Sequence, residues 1–402
     1  MTTHLKYASL ALAVGLFGCS EQPISSANKP SAENHEAVNI ANVRSHIKTL
    51  ASDEFLGRGP LTEGETLTIN YLADEYKKLG LTGSYNGEFL QPVTMAKLTP
   101  DQNMTLKVGD LSFNAGSDFT ARTQQINPEI NIDGSDVVFV GYGINAPEYN
   151  WDDFADIDVK GKTIIVLVND PGFATQDEAL FTGNAMTYYG RWTYKYEEGA
   201  RQGAKAVFIV HETAPAAYPW SVVESSNTGS KYTLIDQEKN VSDIPVMGWI
   251  DEQAANEIFA QAGLDYQTEK ANALKADFKP VDLNAKAELT LQSDISQAQS
   301  HNVVATLKGS ETPDEYIVIG AHWDHFGTKQ TDDGVKIYNG AVDNASGSAA
   351  TVEIARILTE MHKNKPFKRS IIFANFTAEE TGLIGSEQFA TGEIVPTKQM
   401  VA

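Results

Sequence analysis

Hydrophobic positions along the chain follow two rhythms, and the change from one to the other marks out its parts. From Val38, the apolar residues Ile40, Val43, Ile47 and Leu50 recur at mostly three- and four-residue spacings, which predicts an amphipathic helix. A second helix is predicted from about Glu65 to Leu79, with Leu67, Tyr71, Leu72 and Tyr76 apolar and Gly80 ending it. Between the two, Ser52–Pro60 is crowded with turn formers and reads as a loop. Residues 84–135 change to short Thr- and Val-rich stretches broken by Gly, Asn and Asp, the pattern of β-structure. Unbroken apolar runs at 136–143, 162–168, 204–210 and 244–249 predict strands. Tyr149–Phe154 is a polar-aromatic loop among them, and helices are predicted at Arg191–Gln202 and Asp251–Ala262.

From His301–Ala305 the chain returns to hydrophobic strands. Tyr316–Gly320 is a short uninterrupted apolar run, the pattern of a strand covered on both faces. Gly340–Ser348 is small and flexible, and opens a helical pattern through Ile354, Ile357 and Leu358; Ser370–Phe376 is another apolar run. Strand, loop, helix, strand, loop is the grammar of a parallel α/β sheet, whose sites form beyond the carboxyl ends of the strands. At 402 residues the chain exceeds one ordinary core, so two domains plus tails are expected. The mixed β/α stretch in the middle reads as a domain inserted between the N-terminal helices and the 316–380 unit.

Charge narrows the partners. With 31 basic and 53 acidic residues the formal net charge is −22, which argues against nucleic acid, since phosphate binding needs a basic surface. The single cysteine, Cys19, allows neither an internal disulfide nor a Cys-based zinc site. Its setting is informative. Lys6 precedes the apolar run Tyr7–Phe17, which is too short to span a bilayer and reads as a signal peptide. Leu16-Phe-Gly-Cys19 resembles the lipobox of bacterial lipoproteins, whose Cys becomes the lipidated first residue. That resemblance implies secretion across the inner membrane, with anchoring to the outer membrane at the periplasmic or cell-surface side; a plain secretory peptide is the alternative. Residues 20–36, rich in Ser, Asn, Pro and Glu, read as a disordered tether.

The candidate chemistry lies at the predicted strand ends. His322 and Asp324 follow one apolar run, Asp343 sits in the Gly/Ser-rich loop, and Glu379 and Glu380 follow another run. Imidazole and carboxylate are ligands that zinc accepts. Asp324, two residues from His322, is placed to accept its second ring N–H and fix the tautomer. Adjacent glutamates can divide the work, one binding metal and the other taking a proton from the attacking water. Asp343, uncrowded, could bridge two ions. Each piece has a bland reading: a solvated Glu-Glu pair, a surface His-x-Asp hydrogen bond, an ordinary helix N-cap. Their common placement favours the metal reading. His301, His325 and His362 read as structural or exposed.

Gly320-Ala-His-Trp-Asp324, Gly340-Ala-Val-Asp-Asn-Ala-Ser-Gly347 and Phe376-Thr-Ala-Glu-Glu-Thr-Gly-Leu-Ile-Gly-Ser386 resemble three consecutive motifs of the co-catalytic di-zinc aminopeptidases. That superfamily includes bacterial leucyl aminopeptidase and glutamate carboxypeptidase. Leu50–Pro60 resembles the N-terminal signature of its bacterial members, without a catalytic role assigned to it. The 136–250 region resembles the protease-associated (PA) domain often inserted in them. The resemblance implies an α/β zinc-exopeptidase fold, a mixed and parallel sheet flanked by helices, with a β-rich α/β PA insertion. It divides the chain into a lipoprotein signal peptide (1–19), the tether (20–36), an N-terminal part of the peptidase domain (37–107), the PA-type insertion (108–293) and the metal-binding part (294–402). It also implies peptide substrates, Zn2+ held by His322 and Glu380 with Asp343 bridging, Glu379 as general base, Asp324 orienting His322, and a cis Asp343–Asn344 peptide bond. The family completes its two metal shells with an Asp and a His further along the sequence. The chain ends at Ala402 before either, so the resemblance implies the N-terminal part of a longer enzyme.

Two other classes stay open. One is a receptor-like scaffold that keeps the fold without the chemistry, as in transferrin receptor; retention of His322, Asp343, Glu379 and Glu380 discriminates against it. The other is a PA-like binding module on a lipoprotein tether. Within the enzyme reading, carboxypeptidase and cyclase activities use the same ligands.

Overall fold

The computed structural model describes residues 38–235 and 243–402. The signal peptide, the lipidated Cys19 and the tether expected before residue 37 lie outside the described residues. Both N-terminal helices form where the periodicity places them, at Ile40–Leu50 and Glu63–Lys78. The first is capped by Asn39, whose side chain accepts from the Ala41 and Asn42 N–H groups. The second is capped by Thr62, carries Glu63 and Glu65 in its first turn and Lys77 and Lys78 in its last, and is followed by Gly80 at φ 78°. These charges oppose the helix dipole at each end. Glu65 also reaches back to accept the Leu61 N–H at 2.6 Å, fixing the entry of the chain into the helix.

The two halves of the fold meet on one strand, Val281–Leu307. Its C-terminal half runs antiparallel to Leu90–Pro100 on one side, and its last residues, Val303–Leu307, pair with Arg369–Phe376 on the other. Arg369–Phe376 then pairs in parallel with Thr312–His322. The N-terminal half of the long strand runs antiparallel to Glu129–Phe139. From there Thr163–Leu167, Ala206–Val210 and Val246–Ile250 continue in parallel, and Phe119–Arg122 follows antiparallel. The architecture is therefore a mixed parallel and antiparallel sheet flanked by helices, as expected. Val38–Ala402 forms one unit, and the boundary expected at 293/294 falls inside the shared strand. Among the described residues, no helix is long and apolar enough to cross a membrane.

One layer of core joins both N-terminal helices and helix Ser346–Asn364 to the sheet, through Leu50, Leu72, Tyr76, Val303, Trp323, Val352 and Phe373. On the opposite face Val304, Ile372 and Ala374 pack against Phe389 and Val395. Arg369–Phe376 is accordingly buried along almost its whole length. Thr312–His322 departs from its expected two-sided cover: Ile317, Val318 and Ile319 are only half-buried. The reason is its place in the sheet. Beyond Arg369–Phe376, its described neighbour is the short backbone stretch at Met400–Ala402, where the Val401 N–H donates to the Tyr316 carbonyl and the Val318 N–H to the Ala402 carbonyl.

The other half contains a buried lysine. Lys195, on helix Trp192–Arg201, is 1% exposed and donates from Nζ to the Tyr142 and Tyr189 carbonyls, each at 2.7 Å. Burial pulls its pKa down to about 7, against the pull of Asp153 and Asp170. A lysine neutral in the fold and protonated in the open chain makes the protein take up a proton on unfolding between pH 7 and its ordinary value near 10.5. Stability from this group therefore rises with pH across that window, by at most about 1.4 kcal/mol per pH unit. Lys195→Met is expected to flatten the rise. Urea unfolding at pH 8 and 10 measures it, and an unchanged slope would contradict the assignment.

Candidate metal centre

Three polar clusters are brought together by the carboxyl ends of two parallel strands. Thr312–His322 and Arg369–Phe376 are in register, with His322 opposite Phe376. The Trp323 N–H donates to the Phe376 carbonyl at 2.9 Å, and the Trp323 indole donates to the His301 carbonyl at 3.0 Å. Trp323 is fully buried, which fixes the turn on which His322 and Asp324 stand. A second line of bonds ties the same turn to the helices. Tyr76 donates its hydroxyl to Asn375 at 2.5 Å, Asn375 donates to Ser348, and Ser348 donates to the His322 carbonyl at 2.9 Å.

Asp324 is fully buried, and its carboxylate accepts the main-chain N–H groups of both Glu379 (3.1 Å) and Glu380 (3.3 Å). This adds a second task to the orienting one read from the sequence. The His322 Nδ1 lies 3.1 Å from the Asp324 main-chain carbonyl, whereas the Asp324 carboxylate is 3.7 Å away. The carboxylate also anchors the turn carrying the two glutamates, because that turn, with Ala378 at φ 50°, presents both amide N–H groups toward it. Asp324 thus faces His322 with its main-chain carbonyl and its carboxylate, and holds the glutamate turn with the carboxylate.

Around this frame the donor atoms converge. The His322 Nε2 lies 3.1 Å from Asp343 Oδ1 and 3.7 Å from Glu379 Oε2. The His325 Nδ1 lies 2.6 Å from Glu380 Oε1. The ligand atoms of His325, Asp343 and Glu380 all fall within 4.8 Å of one another. Every residue singled out from the sequence, His322, Asp324, Asp343, Glu379 and Glu380, is therefore in one place. His325, set aside as structural or exposed, joins them. Its signal was the spacing His322-x-Asp324-His325 followed by Gly327, where φ is 70° and the chain folds back. His301 and His362 stay outside the cluster, bonded to Glu65 and to the Phe367 N–H. The Asp343–Asn344 peptide bond is cis, as the resemblance implies. The Asn344 side chain accepts from the Gly347 N–H at 2.8 Å, at the start of helix Ser346–Asn364.

The electrostatics favour a bound cation. Burial opposes a charge on His322, but hydrogen bonding and charge from Asp324, with Glu379 behind it, carry its pKa up to about 9. Burial raises the Glu380 carboxyl, the His325 bond opposes that, and the nearby Asp343 and Asp324 charges add to the rise. Two imidazoles facing three carboxylates are the donor set of a borderline-soft divalent ion. Asp343, whose side chain is 63% exposed, keeps the cluster open to solvent.

Residues 302–402 match Peptidase family M28. Over 92 residues the chain is 45% identical to a protein named "Probable zinc metalloprotease" from Pyrenophora teres f. teres, covering 22% of this chain and 18% of that protein. Over 286 residues it is 26% identical to a glutamate carboxypeptidase 2 homolog of Caenorhabditis elegans, covering 63% of this chain and 34% of the relative. The chain thus spans well under half the length of these curated relatives. Among solved structures, the aminopeptidase from Aneurinibacillus sp. strain AM-1 is 22% identical, with a TM-score of 0.44, over 88% of this chain and 66% of that one.

Proposed function

We infer that this chain, whose residues 302–402 match Peptidase family M28, is a zinc-dependent exopeptidase that removes N-terminal residues from peptides. The observation that carries the reading is the convergence of His322, His325, Asp343, Glu379 and Glu380 at adjacent strand ends. These residues fit zinc by donor type, and the crowding of carboxylates calls for a cation. His322, Asp343 and Glu380 would hold it, with His325 beside Glu380. Bound there, zinc supplies Lewis acidity toward a peptide carbonyl and lowers the pKa of water.

The rest is done by the chain itself. Glu379 has a side chain 35% exposed, with Oε2 facing the His322 Nε2, and is the group free to take a proton from the attacking water and return it to the leaving amine. Asp324 keeps Glu379 and Glu380 pointing apart by holding both their N–H groups. Asp324→Asn replaces one accepting oxygen with an N–H2 that faces an N–H. Zinc affinity is expected to fall roughly 10- to 100-fold, the usual cost of losing such a supporting group; competition with a chelating dye measures it, and unchanged affinity would count against this role.

Residues 108–293 are proposed to be a PA-type insertion, and Cys19 the site of a lipid anchor. Mass spectrometry of the mature N-terminus tests the anchor. The test of function is zinc per folded molecule of residues 20–402, by elemental analysis after dialysis, together with hydrolysis of free and N-blocked aminoacyl-4-nitroanilides. Retained zinc with cleavage of only the free substrates supports the reading. No zinc, or zinc without cleavage, would leave the binding or scaffold alternative.

A further inference from the structure

The loop Asp53–Arg58, to which the resemblance assigns no role, ends in a side chain that reaches the metal centre from behind. Arg58 is fully buried. Its Nε donates to the Trp323 carbonyl at 2.9 Å, Nη1 to the Leu50 and Asn339 carbonyls at 2.6 and 2.7 Å, and Nη2 to the Gly340 carbonyl at 2.8 Å. All four acceptors are neutral backbone. Trp323 stands between His322 and Asp324, and Gly340 opens the loop that carries Asp343. The Arg58 carbonyl itself accepts the His325 N–H at 3.3 Å. One residue therefore contacts the backbone of two of the three segments that bear the donor atoms.

The local backbone is arranged for that reach. Leu56, Gly57 and Arg58 have φ of 50°, 65° and 50°, a left-handed run that costs on the order of 1 kcal/mol or more at each non-glycine position. A Cβ on Gly57 would sit 2.3 Å from the Gly327 carbonyl oxygen and 2.5 Å from that of Tyr338. A Cβ on Gly340 would sit 2.6 Å from Arg58 Nη2 and 2.6 Å from the His325 ring. The loop is thus pressed against the two segments with no room to slide. A buried guanidinium bonded only to carbonyls is costly unless opposite charge lies near. Asp324, Asp343 and Glu380 provide that charge, and they offset part of the fall in the Arg58 pKa, to about 10, that burial causes.

We propose that Arg58 is a positioning residue for the metal centre: its fork of donors locks the His322–His325 turn to the loop bearing Asp343, and its fixed charge holds the converging carboxylates together. The inference rests on the zinc reading above.

Arg58→Gly and Arg58→Lys in the full chain test it. Glycine suits the backbone at φ 50° and leaves a hole the size of a guanidinium; lysine keeps the charge and loses the fork. Zinc affinity by chelator competition and the visible spectrum of the cobalt(II)-loaded protein are read beside thermal melting. Both variants are expected to melt cooperatively, to bind zinc at least about tenfold more weakly, and to show an altered cobalt spectrum. Guanidinium chloride at a low, non-denaturing concentration is expected to restore affinity to Arg58→Gly, where sodium chloride of equal ionic strength does not. Should Arg58→Gly fail to fold, Arg58→Lys decides alone. Variants that match the parent in affinity and spectrum would overturn the role of Arg58 while leaving the zinc reading intact. A parent chain that binds no zinc would overturn both.

Discussion

Glu379→Gln is expected to lower turnover by roughly 10²- to 10⁴-fold, the range for losing a positioned proton acceptor, while zinc content stays at the parent value. The amide is nearly isosteric with the carboxylate and cannot take a proton from water. The main-chain N–H of residue 379 keeps its bond to Asp324 whatever the side chain, so the turn and Glu380 remain in place. Glu380 is the more buried of the pair, its side chain 14% exposed, and already engaged with His325. Glu379 faces His322 from a more open position. Steady-state hydrolysis with parallel elemental analysis measures both quantities. Turnover within a few-fold of the parent would take the proton-transfer role away from Glu379.

His322→Ala should act on the other observable. Its imidazole lies within 4 Å of both Asp343 and Glu379. Removing it takes away the imidazole that both carboxylates approach. Because supporting groups alone contribute 10- to 100-fold, loss of a direct ligand should weaken zinc by more than roughly 100-fold. The fold should survive, since the His322 carbonyl keeps its bond from Ser348 and the strand keeps its register with Arg369–Phe376. Equilibrium dialysis against buffered zinc reads the change, and a variant that holds zinc as tightly as the parent would strike His322 from the ligands.

Much of this was legible in the sequence because it is carried by local pattern. Ile40–Leu50 and Glu63–Lys78 announce themselves by period and caps, and Arg369–Phe376 by its unbroken apolar run. The carboxylates could be placed because they follow such runs directly. What escaped depends on distant partners. Val281–Leu307 alternates exposed and buried residues over most of its length, so its first twenty residues show no apolar block to mark them as one strand. His325 looks like any loop histidine until Glu380 is brought against it. The Asp324 carboxylate finds backbone N–H groups 55 and 56 residues away, and Arg58 bonds Asn339 across 281 residues. No spacing rule reports contacts of that range.

The shared strand also sets how far along the chain pairing must reach. Leu90–Pro100 pairs with Lys231–Leu234 on one edge and Ser293–Val303 on the other, and Thr82–Gly83 pairs with Ala305–Thr306. Pairings this remote in sequence require a large loop to be closed before any contact compensates for it, which slows the search for the native arrangement. In chain order, one edge of Leu90–Pro100 meets Lys231–Leu234 first, and its other edge stays open until Ser293–Val303 is made. The metal ligands at 322–380 stand on strands that join the rest of the sheet through Val303–Leu307, so their frame depends on this same long-range pairing.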